Sequence, residues 1–121
     1  MIYSIQPDQT VLDLKKQFTD LFPGLKIEVF AHDHESGEGS PKKDAYKGVV
    51  TVSEINPKQT ECSLILDPEM TVAEVEEKFH SEAGLNVQVF RKMGVIWLET
   101  VQTDGYTLTH QMELSAESRH L

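Results

Sequence analysis

The run His32-Asp33-His34-Glu35 is the one place in this 121-residue chain where metal-type ligands crowd together. Zinc takes three or four such ligands at about 2.0–2.2 Å in a rigid arrangement, and His32, His34 and Glu35 could supply three of them. Against this, the run lies in a Gly- and Ser-rich stretch with no second Cys or His pair at ligand spacing, and His80, His110 and His120 lie on other elements. The plainer reading is a solvated loop, and no cofactor is expected. A nucleophile is no better supplied. Cys62, the only cysteine, sits in an apolar run, where a thiol behaves as a small hydrophobe. No serine stands in a Gly-x-Ser-x-Gly context, and no glycine-rich loop leads into a helix as phosphate binding requires. Glu99 and Asp104 are close in sequence, but carboxylates across a turn are ordinarily solvated. No catalytic residue is assigned, and the expectation is a protein that is not an enzyme.

Binding chemistry is more promising. Twenty acidic residues against eleven basic ones give a net charge of -9. Phosphate backbones are bound through clustered Lys and Arg. Here the densest group, Lys42, Lys43 and Lys47, is interrupted by Asp44 and lies close to Glu35 and Glu38. Nucleic acid and anionic membrane are therefore not expected as partners. No apolar run approaches the roughly 20 residues that span a bilayer, and the start of the chain lacks the pattern of a signal peptide. With a single cysteine besides, the expected location is the cytoplasm.

The aromatic residues fit a protein partner. In Leu25–Phe30 and Leu85–Phe90, the aliphatic residues occupy one parity, while Phe30 and Phe90 share the other with Glu28 and Gln88. Strand side chains alternate between faces. If the aliphatic set faces the helices, both phenylalanines face outward, with Trp97 and Tyr106 following nearby. Phe30, Phe90, Trp97 and Tyr106 are thus candidate protein-contact residues, since aromatics anchor interfaces. The plainer alternative is that the two phenylalanines close the core at strand ends or between segments.

The elements that must position these residues come twice. Pro7-Asp8-Gln9-Thr10-Val11 returns as Pro68-Glu69-Met70-Thr71-Val72, Phe18 as Phe79, and Gly24-Leu25-Lys26-Ile27-Glu28-Val29-Phe30 as Gly84-Leu85-Asn86-Val87-Gln88-Val89-Phe90, with one gap at Pro23. Such self-similarity suggests a duplicated structural unit. In each copy a short strand precedes a capping threonine, Thr10 or Thr71, with Asp13 or Glu74 in the reciprocal position. Val11, Leu14, Phe18 and Leu21 or Phe22 make one helical stripe, and Val72, Val75, Phe79 and Ala83 the other. Gly24 and Gly84 are expected to close the helices. A hairpin follows in the second copy through Arg91–Gly94. In the first copy Ala31 to Gly48 is polar and reads as an inserted surface loop. Thr51-Val52 and Thr107-Leu108 each predict a single short helical turn, and the polar tail from Ser115 is expected to fray.

The segment Leu64-Ile65-Leu66-Asp67-Pro68, the Thr71-capped helix ending at Gly84-Leu85, the strand Val87-Gln88-Val89-Phe90 and the segment Asp104-Gly105-Tyr106-Thr107-Leu108 resemble the ubiquitin-like β-grasp family. The resemblance covers about 50 residues of the second copy and less of the first. It implies a binding module of that general shape. Arg119-His120-Leu121 carries no diglycine, so a conjugated modifier is not implied. The expected fold class is α+β, a duplicated strand-helix-strand-strand unit with two helices packed on a mixed sheet. Residues 1–60 form the first repeat, with its polar loop at 31–48, and residues 61–121 the second. One copy alone buries little surface, so the two are expected to share a core. Lys15-Lys16 corresponds to Glu76-Glu77 with the charge reversed, which allows weak, salt-sensitive self-association. The rival readings are a small metal-binding protein or enzyme using the His32–Glu35 loop, and a purely structural subunit of a larger assembly.

Overall fold

The computed structural model describes residues 1–31 and 44–118. The chain is α+β. It runs β1 (Ile2–Ile5), α1 (Val11–Leu21), β2 (Leu25–Phe30), α2 (Val52–Ile55), β3 (Cys62–Ile65), α3 (Val72–Ala83), β4 (Asn86–Met93), β5 (Ile96–Glu99) and α4 (Leu108–Ser118). Three of the capping threonines are reciprocated. The hydroxyls of Thr10, Thr51 and Thr71 accept from the backbone N–H of Asp13, Glu54 and Glu74, whose carboxylates accept from the threonine N–H in return. This satisfies amide groups that a helix N-terminus leaves without partners.

The strands form two sheets, both antiparallel, instead of one mixed sheet: β1 with β3, and β2-β4-β5. The reason lies in the pairing, which for β1-β3 and β2-β4 runs between the two segments. Tyr3 lies opposite Leu64 in one sheet and Glu28 opposite Gln88 in the other. In the sequence correspondence these residues are each other's counterparts. Each ladder is therefore centred on a local two-fold axis, and such a relation makes the paired strands antiparallel. The loops obey the same relation. Val11 N–H donates to Val50 C=O at 2.8 Å, and Val72 N–H to Tyr106 C=O at 3.0 Å. Val52 N–H donates to Gln9 C=O at 2.9 Å, and Leu108 N–H to Met70 C=O at 3.0 Å.

One apolar core joins residues of both segments. The stripes of α1 and α3 bury Val11, Leu14, Phe18, Val72, Val75, Phe79 and Ala83 against the aliphatic parity of the strands. Tyr3 sits between the helices, its ring centroid 6.3 Å from Phe18 and 5.1 Å from Phe79. Its hydroxyl donates to the Leu14 carbonyl, and burial pushes its pKa far above the ordinary tyrosine value.

Three local expectations need correcting. Gly84 is the left-handed C-cap of α3 (φ 63), but α1 ends at Phe22, with Gly24 (φ 88) two residues further on. Pro23 is the cause, because the residue before a proline is pushed out of the helical region; Phe22 has φ -129 and ψ 80. The polar stretch after β2 is not loop throughout its described part. Ala31 N–H donates to Asp44 C=O at 2.9 Å, and Tyr46 N–H to Val29 C=O at 2.8 Å, so the chain returns along β2. Finally, the segment after Thr107 is no single turn. It continues as α4 to Ser118, with Ser115 buried.

Candidate functional site

The outer face of the β2-β4-β5 sheet carries the aromatic residues. Alternation along β2 points Leu25, Ile27 and Val29 to the core and Lys26, Glu28 and Phe30 to the other side. Register then brings Phe90 opposite Lys26, and Trp97 opposite Lys92 on the next strand. Phe30, Phe90 and Trp97 share a groove of about 670 Å³, with Val95 and Ile96 at its hairpin rim. Phe30 is buried at 2% exposure, Phe90 and Trp97 are half-buried, and Val95 is 95% exposed. The groove is thus an apolar concavity with an open rim.

Its charge is arranged around the rings. The Lys26 ammonium lies 5.4 Å from the Phe90 centroid and 4.9 Å from that of Trp97, and Lys92 lies 5.9 Å from Trp97. Cations at these distances are attracted by the ring quadrupole, worth about 0.5–1 kcal/mol at an exposed site. One oxygen of Glu28 receives Lys15 at 2.6 Å and Lys26 at 3.4 Å. Lys92 has no carboxylate within ion-pair distance among the described residues. Glu99, opposite Phe90, places a carboxylate at the far end of the groove.

Tyr106, the fourth aromatic singled out by sequence, does not join this group. Its ring stacks on His110 at 4.4 Å, in the loop before α4. Lys26 was the residue sequence reasoning missed. Its parity with Phe30 was readable from β2, but its approach to Trp97 depends on the pairing of β4 with β2.

The remaining candidates are spread apart. His32, His34 and Glu35 lie outside the described residues, and among those described no three His, Cys, Asp or Glu side chains converge. His80 Nδ1 lies 3.0 Å from Asn86 Oδ1. Cys62 is half-buried in β3, and its thiol pKa is pushed up by desolvation and then by the Glu82 carboxylate, away from thiolate character. Of the charge-reversed pairs, Lys15 is taken up by Glu28, and Glu76 accepts from Val89 N–H at 2.9 Å. Lys16 and Glu77 remain on the exposed surface. Among the described residues no helix is long and apolar enough to cross a membrane.

Compared with protein-family models, with curated proteins and with solved structures, the chain matches none of them.

Proposed function

We propose that this chain is a non-enzymatic protein-binding module whose contact surface is the outer face of the β2-β4-β5 sheet. The observation that carries the reading is the convergence of Phe30, Phe90 and Trp97, from three strands, on one groove with an open apolar rim. Half-buried aromatic anchors ringed by polar groups are how interface hot spots are built. The ubiquitin-like resemblance implies a binding role of the same kind, and duplication of the unit supplies a rigid frame on which such a face can diverge. The charge does not favour nucleic acid: two lysines sit at the groove with two glutamates in a strongly acidic chain.

The test is affinity capture with three forms of the full chain. A specific protein retained by the wild type should be lost with Trp97→Ala and retained with Tyr106→Ala, while both variants melt near the wild-type temperature. Retention by the Trp97 variant at wild-type yield would move the contact surface elsewhere.

A further inference from the structure

The groove ends at a strand edge that nothing described covers. Backbone polarity along β5 follows from its neighbour. Val89 turns its N–H to Glu76 and its C=O to the Thr100 hydroxyl, so its polar groups point to the β5 side of β4. An antiparallel ladder alternates, so Arg91 and Met93 also bond toward β5, opposite Leu98 and Ile96. The backbone N–H and C=O of Trp97 and Glu99 therefore point away from the sheet, and no described group bonds them.

This chain closes an edge elsewhere. On β1, the Gln17 side-chain amide accepts from Ser4 N–H at 2.8 Å and donates to Ser4 C=O at 2.9 Å. Beyond β5 no described side chain does this, and the strand's own protection is limited to its four-residue length and Glu99, with no lysine or proline. It instead exposes Val95, Ile96 and Leu98, at 95%, 55% and 38%. Trp97 and Glu99 thus carry groove-facing side chains on a backbone whose outward N–H and C=O groups no described residue bonds. Leu98, and Ile96 beside the hairpin turn, alternate to the opposite face, Ile96 also reaching the groove's rim.

The geometry points to strand addition: the partner supplies an extended segment that pairs with β5 and continues the sheet. This rests on the binding-module reading above and names its ligand. Alternate side chains of the added strand fall on opposite faces. One set must be apolar, to cover Ile96 and Leu98. The other lies beside the groove. Near Trp97 it meets Lys26 and Lys92, the latter with no carboxylate within ion-pair distance among the described residues, which calls for an acidic side chain. One pleat further it meets Glu99, which excludes one. The ligand is an extended peptide with alternating apolar residues and a carboxylate at the position nearest the β4-β5 hairpin.

The test selects peptides from a random dodecapeptide phage library on the immobilised full chain, then follows the synthesised binders by amide hydrogen exchange. Enriched sequences should alternate apolar and polar residues with an Asp or Glu. They should slow exchange at Trp97 and Glu99 by about tenfold or more, as new backbone bonds would. They should bind about tenfold more weakly to Lys92→Glu. Peptides that need Trp97 but leave both amides unprotected would overturn strand addition while leaving the groove as the binding surface. No enrichment over a Trp97→Ala control would overturn both. Protection of both amides in the peptide-free chain that disappears on dilution would make the occupant a second copy, contrary to the proposal.

Discussion

Single residues set where the elements start and stop, and their effects can be measured one at a time. The Thr71 hydroxyl accepts from Glu74 N–H at 3.2 Å while Glu74 accepts from Thr71 N–H at 3.0 Å. Thr71→Ala should cost about 1 kcal/mol in urea unfolding at neutral pH. The hydrogen bonds to the Thr71 backbone and then to its side chain hold the Glu74 carboxyl below its ordinary pKa, and those to Thr10 do the same for Asp13. A carboxylate whose folded pKa is depressed stabilises the fold above its unfolded pKa, and that contribution disappears as pH falls through the folded value. Wild-type stability should therefore decline as pH drops below about 4, and less steeply in Thr71→Ala, which has already lost one of the bonds. A variant indistinguishable from wild type at both pH values would show that the cap does not hold α3. The caps were legible in the sequence because their chemistry is local. The end of α1 was not, because Pro23 and Gly24 compete for the same turn and only the chain geometry shows that Pro23 acts first.

At the scale of elements, legibility followed the period of apolar residues. α1, α3, β2 and β4 declared themselves through Leu14, Phe18, Val75, Phe79 and the alternating valines. α4 did not. Its buried positions are Leu108, Gln111 and Ser115, correctly spaced for one helical face, yet two of the three are polar. Gln111 is fully buried because its amide is used up: Nε2 donates to the carbonyl and hydroxyl of Thr103 at 2.9 Å each, and Oε1 accepts from the Arg91 guanidinium. Periodicity that counts only apolar residues cannot see such a helix. Ser115 likewise lies against Gly24, where a side-chain carbon at position 24 would approach the serine hydroxyl to 2.6 Å. Gln111→Ala should cost roughly 1.5–3 kcal/mol, since it strips the part-buried Arg91 of an acceptor. Thermal unfolding measures this, and a shift smaller than that of Thr71→Ala would mean that α4 is an appendage and not part of the fold.

Taken whole, the two segments that correspond in sequence pair antiparallel through β1-β3 and β2-β4. Phe18 and Phe79, counterparts in the sequence, lie 6.5 Å apart at the centre with Tyr3 against both. The core was readable because both segments bury the same stripe. The groove was readable only in part. Parity placed Phe30 and Phe90 outward, but their convergence with Trp97 comes from β2 pairing with β4 across the segments, a contact that no local pattern encodes. Tyr106 follows Trp97 in sequence but lies away from it, because Val101–Thr103 and the turn after it carry the chain off the sheet. The two segments differ here: the second supplies a hairpin edge that no described residue covers, and a tryptophan, at the place where the first returns through Asp44–Tyr46. The most direct measurement places a photo-crosslinking benzophenone amino acid in the full chain inside the cells that make it, at Val95 on the groove rim or at Val49, which is 80% exposed and outside the groove. The account predicts a discrete adduct with another protein from position 95, abolished by Trp97→Ala, and none from position 49. Equal adducts from both positions, or an adduct from position 49 alone, would contradict it.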